Sequence, residues 1–286
     1  MKLVLPAPAK INTFLHVVGR RDDGYHLLES AMVLVSLADT VELTARDDSA
    51  VTLIDPPTGI SEENDLACRA ARALQAHAGG ARTRLGVDIR LTKRIPQGAG
   101  LGGGSSDAAT TLLGLNRLWQ LNLPRETLME IGLSLGADVP FFVHGRGAIM
   151  AGIGEKLRSV TVPRARFVLA HPRVGLPTAE VFRHPSLHRN MASSADVQFN
   201  WASGVNSLQS VAETIAPLAK ALQREMSNLR LTPRMTGSGS AYFAPAPDDL
   251  DVETTLAALR AHSFDAWVVH SIDRHPLHDF AKSSII

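Results

Sequence analysis

The sequence predicts an α+β protein of two domains, residues 1–155 and 156–286. Three observations lead there. GVDIRLTKRIP (86–96) alternates Val87, Ile89, Leu91 and Ile95 with Asp88, Arg90, Thr92 and Arg94, a strand with one wet face, as antiparallel sheets have. Helical stretches occur without the regular strand–helix alternation of a doubly wound sheet. At 286 residues the chain is long enough for two ordinary cores.

In chain order, AMVLVSL (31–37), DTVELTAR (39–46) and VTLID (51–55) read as strands, from their β-branched residues and alternation. NDLACRAARALQAHA (64–78) reads as a helix, with Asn64 or Asp65 as cap and Gly79-Gly80 as its stop. SSDAATTLLGLNRLWQL (105–121) is a second helix, with Ala109, Leu112, Leu113 and Leu118 or Trp119 at core spacing. PRETLMEIGLSL (124–135) is a third, opened by Pro124 and ended by Gly136. VPFFV (139–143), GAIMAGIG (147–154) and RFVLAHP (166–172) are expected as strands. Residues 183–206 are polar and irregular, the pattern of a long surface connection. SLQSVAETIAPLAKALQREMS (207–227) is helical and broken at Pro217. MTGSGSAYFA (235–244) is a glycine turn entering a strand, followed by helix VETTLAALRAH (252–262) and strand AWVVHSI (266–272).

Composition excludes several classes. With 29 basic and 28 acidic side chains the net charge is +1, so a broad nucleic-acid-binding face is not expected. The one cysteine, Cys68, stands at helical spacing among alanines and reads as a small core residue. Neither a disulfide nor a cysteine metal cluster follows from it. The histidines show no metal-ligand spacing, and no metal-ligating residue is named. The opening MKLVLPAPAK imitates an export signal until Pro6, Pro8 and Lys10 interrupt it. No run approaches the roughly 20 apolar residues of a membrane span. A cytoplasmic protein without a membrane or nucleic-acid partner is expected, as monomer or homodimer.

The most informative stretch is IPQGAGLGGGSSDAATT (95–111), with five glycines in the seven residues 98–104. Glycines let backbone approach a ligand closely. A helix follows immediately, and its unpaired N–H groups and dipole favour an anion. Three familiar loops do not fit. No lysine follows Gly104, as a Walker loop needs. G-x-G-x-x-G is present at Gly98, Gly100 and Gly103, but the preceding strand is half polar. Neither H-R-D nor D-F-G occurs.

PQGAGLGGGSSDAAT resembles the phosphate loop of the GHMP small-molecule kinases. PAPAKINTFLHVVGRRDDGYHLLES (6–30) resembles that family's N-terminal motif, and TGSGSAYFA (236–244) its C-terminal glycine motif. The resemblance implies a ribosomal S5 domain 2-like N-terminal domain that binds ATP, with Mg2+, and a ferredoxin-like C-terminal domain. It implies Lys10 and Asp138 as the catalytic pair, Asp138 accepting the proton of an alcohol. The ATP site it implies comprises Gln97, Gly98, Ala99, Gly100, Leu101, Gly102, Gly103, Gly104, Ser105 and Ser106; from their position just before this loop, Lys93 and Pro96 are expected near the adenine. The combination of PAPAKIN, DGYH, GLGGGSSDAA and LGADVPFF narrows the expectation to a small-molecule acceptor carrying a cytidine group. Tyr25 and His26 suit stacking on a pyrimidine and reading its edge. Asn12, Thr178 and Phe182 join them by resemblance, with Ala179 a mild departure. Taken alone, Lys10 reads as a strand-edge lysine, Asp138 as a helix cap, Asp107 as first-turn charge stabilisation and Tyr25 as a turn residue. A kinase for mevalonate or homoserine, a non-catalytic nucleotide-binding regulator and a dinucleotide oxidoreductase are the rival readings.

Overall fold

The computed structural model describes residues 1–56, 60–79, 84–192, 201 and 204–282. Its strands are β1 (Lys2–Arg20), β2 (His26–Arg46), β3 (Val51–Ile54), β4 (Gly86–Thr92), β5 (Ala148–Gly152), β6 (Lys156–Ser159), β7 (Arg166–His171), β8 (Arg234–Met235), β9 (Tyr242–Pro245) and β10 (Asp265–Ile272). Its helices are α1 (Leu66–His77), α2 (Gly103–Leu118), α3 (Arg125–Leu135), α4 (Val139–His144), α5 (Thr178–Arg183), α6 (Gln209–Ile215), α7 (Pro217–Asn228) and α8 (Val252–Ala261). Pairing is antiparallel except between β3 and β4, as the half-polar strands predict.

The 19-residue β1 and 21-residue β2 form a long hairpin, and β10 pairs with β2 through Ser271–Val35 and Ile272–Leu34. One ten-stranded sheet therefore runs through both lobes. The first core gathers α1 to α4 on the sheet, and the second gathers α6 to α8 on β7 and β9. Leu15 and Val17 of β1 belong to the second core, while Leu277 and Ala281 return to the first. The expected boundary at 155/156 falls inside the β5–β6 hairpin.

Several local expectations resolve physically. Asp65 caps α1, its Oδ1 accepting from the N–H groups of Ala67 (2.9 Å) and Cys68 (3.0 Å). Cys68 is buried there, and burial pushes its thiol up to about 12. Helix α2 is buried on nearly every side, Ser106 to Leu113 without exception, which is why its small residues Ala108, Ala109, Thr110 and Thr111 suit it. Proline 217 separates α6 from α7. VPFFV is not a strand. It forms α4, with Pro140 in its first turn and every residue from Val139 to Val143 buried. A short, fully buried apolar run has no periodicity to tell helix from strand. Residues 178–183, expected only as part of a binding stretch, form α5. Gly80, residues 193–200 and 202–203 of the stretch 183–206, and the tail beyond 282 lie outside the described residues.

The C-terminal segment is latched to the first lobe. The buried Arg125 guanidinium donates to the carbonyls of Val143, His278 and Ala281. His275 is buried in the same latch, its N–H on Gly145 O at 2.8 Å. Burial, then His278 and Arg125, push the His275 imidazole down to about 3. A folded-state pKa below the unfolded 6.5 means that acid protonates the unfolded chain first. Stability from this residue is present above pH 6.5 and is lost as pH falls toward 3. The expected loss by pH 4 is about 3 kcal/mol. Urea midpoints measured between pH 8 and pH 4 should fall steeply in the wild type and less in His275→Gln.

Candidate active site

Lys10 and Asn12 sit two residues apart on β1 and so share one face. Irregular register between β1 and β2, at Pro8/Ala9 and Asn12/Phe14, bends the strand around the glycine loop, as bulges do. The Lys10 N–H donates to Leu101 O at 3.0 Å. Its buried ammonium donates to Asn12 Oδ1 at 2.6 Å and lies 3.5 Å from Asp138 Oδ2. Asp138 begins α4 directly after the turn at Gly136, and its side chain makes no capping bond. With a side chain 35% exposed against 4% for Lys10, this carboxylate is the solvent-facing member of the pair.

Asn12 is used up by the scaffold. Its Oδ1 also accepts from Gly237 N (3.0 Å) and Thr236 Oγ1 (3.3 Å), and its Nδ2 donates to Ser30 Oγ (2.7 Å). It therefore orients Lys10 and ties the N-terminal strand to the C-terminal glycine turn. The two glycine loops meet backbone to backbone. A Cβ on Gly100 would stand 2.3 Å from Thr236 O, and one on Gly237 would stand 2.4 Å from Gly100 O. Part of the glycine run thus serves packing between lobes.

The rest leaves a helix end open. Gly102 adopts a left-handed conformation at the start of α2, with no side-chain cap. Among the described residues, nothing accepts from the N–H groups of Gly103, Gly104 and Ser105. These residues line a cleft of about 490 Å³, together with Lys10, Asn12, Lys93, Pro96, Gln97, Gly98, Ala99, Gly100, Leu101, Gly102, Asp138, Thr178 and Phe182. Open N–H donors at a helix start form an anion site.

Three expected site residues lie elsewhere. Ser106 is fully buried. Its hydroxyl donates to Pro8 O at 2.7 Å and its N–H to Gly102 O, so neither faces the cleft. Tyr25 is 63% exposed on the β1–β2 turn and does not line the cleft. His26 reaches the cleft through Phe182, its ring centroid 5.1 Å away and tilted by 33°. Burial, then Arg189 and Arg20, hold His26 below the usual imidazole range.

Lys93 lines the cleft while its ammonium bridges Asp39 and Asp107. Asp39 Oδ1 also accepts from the N–H groups of Arg94 and Ile95, bracing the entry to the glycine loop. Burial raises the Asp107 carboxyl to about 7, and its Oδ1 has no partner among the described residues. Sequence reasoning overlooked Gly237, Ser238 and Arg189. The first two line the cleft, Ser238 sharing a 2.9 Å hydrogen bond with Thr178, and the quoted glycine turn could have flagged them. Arg189 falls in a stretch with no motif.

Among the described residues no group of three acidic, imidazole or thiol side chains could cage a metal. Mg2+ characteristically needs no such cage, since it is held by substrate phosphates, waters and one or two protein oxygens. The cleft fits that arrangement, with Ser105 among its lining residues.

Fold and cleft together define a GHMP-type small-molecule kinase. Residues 65–146 match the family model described as GHMP kinases N terminal domain. The 4-diphosphocytidyl-2-C-methyl-D-erythritol kinases of Ralstonia pickettii and Cupriavidus metallidurans are 48% and 46% identical over 284 and 282 residues. Both alignments cover 96% of this chain, and 96% and 95% of those proteins. A crystal structure of 4-(cytidine 5'-diphospho)-2C-methyl-D-erythritol kinase aligns with TM-score 0.78 and 35% identity, over 94% of this chain and 99% of that one. The mevalonate kinase of Methanococcus jannaschii shares the fold, at TM-score 0.65 and 12% identity, over 95% of this chain and 98% of that one. The chain belongs to the 4-diphosphocytidyl-2-C-methyl-D-erythritol kinase family. No described helix is long and apolar enough to cross a membrane.

Proposed function

We propose that the protein transfers the γ-phosphoryl group of ATP to the 2-hydroxyl of 4-diphosphocytidyl-2-C-methyl-D-erythritol, a step of the non-mevalonate route to isoprenoid precursors. The observation that carries this reading is the Lys10–Asp138 pair, 3.5 Å apart, in the same cleft as the open N–H groups of Gly103, Gly104 and Ser105.

Phosphoryl transfer asks mainly for positioning and charge stabilisation. The α2 N-terminus and the backbone of Gly98–Ser105 hold the phosphates, with Pro96 and Gln97 beside the nucleotide. Mg2+ would supply charge neutralisation for the phosphates, and Ser105 is the cleft residue whose oxygen would help hold it. Asp138 takes the proton of the attacking hydroxyl. That oxygen bonds to the γ phosphorus as the bond to the bridging oxygen breaks, and ADP leaves with the electron pair. The Lys10 ammonium, fixed by Asn12, stabilises the charge gathering on the transferred oxygens. Lys93 acts from behind, holding the loop through Asp39 and Asp107. Phe182 and His26 receive the cytosine, and Thr178 and Ser238 line the path of the diphosphate. On this reading the protein works in the cytoplasm.

The test is ADP formation with three acceptor alcohols in parallel. The cytidine diphosphate substrate should be turned over with a kcat/KM at least about 10³ above mevalonate and homoserine, the margin left by unpaired site groups. Equal or better use of either alternative would overturn the substrate assignment.

A further inference from the structure

Arg189 lies in the segment that matches no recognisable motif, yet its side chain makes four hydrogen bonds beside the His26–Phe182 ring pair. Its Nε donates to His26 Nε2 at 3.1 Å. Its Nη1 donates to Leu187 O at 3.1 Å, and its Nη2 to Phe182 O at 3.2 Å and His184 O at 3.0 Å. One guanidinium therefore grips both members of the His26–Phe182 ring pair, the histidine through its ring and the phenylalanine through its carbonyl.

Arginine has five N–H donors and no acceptor. Whichever imidazole nitrogen faces it must be the unprotonated one. Here Nε2 accepts, so in the neutral ring the proton sits on Nδ1, and among the described residues Nδ1 has no hydrogen-bond partner. Neutrality at physiological pH agrees with the downward shift of His26, caused by burial and then Arg189 and Arg20.

We infer that Arg189 is a positioning residue that locks His26 into the Nδ1–H tautomer and thereby makes the site prefer cytosine to uracil. An Nδ1–H donor pairs with the N3 acceptor of cytosine. The same position in uracil carries an N–H, which would meet the histidine donor to donor. A site whose polar groups are left unpaired by the wrong ligand discriminates strongly against it. This inference rests on the cytidine reading of the cleft, and its test separates the two.

The tautomer is read without substrate, from the 15N shifts and two-bond couplings of the His26 ring in the whole protein. The wild type should show protonated Nδ1 and bare Nε2 at pH 7.5, and Arg189→Met should move the proton to Nε2 or to a mixture. A protonated Nε2 in the wild type, or an unchanged ring in Arg189→Met, would overturn the inference. In kinetics, Arg189→Met should raise KM for the cytidine substrate about tenfold, the worth of one oriented hydrogen bond, with a smaller change in kcat. The cytidine-over-uridine ratio, measured against the uridine analogue, should fall by a similar factor. In a His26→Ala background the same substitution should cost little, whereas a merely structural arginine would cost the same in both. If His26→Ala leaves KM unchanged while the spectra behave as expected, the base-reading role is overturned and the failure lies with the cytidine reading.

Discussion

Asp138→Asn should lower kcat by about 10²–10⁴, the contribution typical of a positioned general base, with ATP affinity and thermal stability close to wild type. The separation follows from the geometry. The Asp138 side chain is part exposed and caps nothing, and its charged neighbour is Lys10 Nζ at 3.5 Å. Asparagine keeps the shape and can still accept from Lys10, so the fold loses little. It cannot take a proton from the acceptor hydroxyl. Single-turnover rates with pre-bound ATP, together with an equilibrium ATP titration, check the split. A near-normal rate would remove Asp138 from the role of base.

Lys93→Ala has the largest expected effect on stability, a loss of about 3–5 kcal/mol, because truncation leaves two buried carboxylates facing each other without their cation. Asp39 is fully buried and Asp107 nearly so, while the Lys93 side chain is 18% exposed. The loss should also grow with pH. Burial already raises the Asp107 carboxyl to about 7, above its unfolded value. Stability is greatest where that group is protonated and falls as pH rises through its folded pKa. Urea unfolding of Lys93→Ala at pH 6 and pH 8 reads both, and adding Asp107→Asn should recover part of the loss. Weakened ATP binding in Lys93→Ala would follow from a displaced glycine loop. The variant therefore tests the brace and not an adenine contact.

Most elements were legible because their signals are local. The polar face of β4, the Asp65 cap of α1 and the break at Pro217 each act within a few residues. VPFFV was not legible, since total burial erases the periodicity that separates helix from strand. Within the site, the glycine run and the PAKIN and GADVP stretches marked the right neighbourhood, but not which atoms were free. Asn12 and Ser106 look like ligand groups in one dimension. In three dimensions their partners come from residues 236–237 and from Pro8, far along the chain. Lys93 likewise reads as a nucleotide contact until Asp39, 54 residues earlier, is seen to claim its charge. Arg189 carried no signal at all, because its role depends on His26, 163 residues away.

The most direct test of the central claim is ADP formation from Mg-ATP in three mixtures: no acceptor, 2-C-methyl-D-erythritol 4-phosphate, and its cytidine diphosphate derivative. The account predicts turnover with the cytidine-bearing acceptor, little above background with the other two, and loss of that turnover in Asp138→Asn. ADP formation that ignores the cytidine group, or that persists in Asp138→Asn, would contradict it.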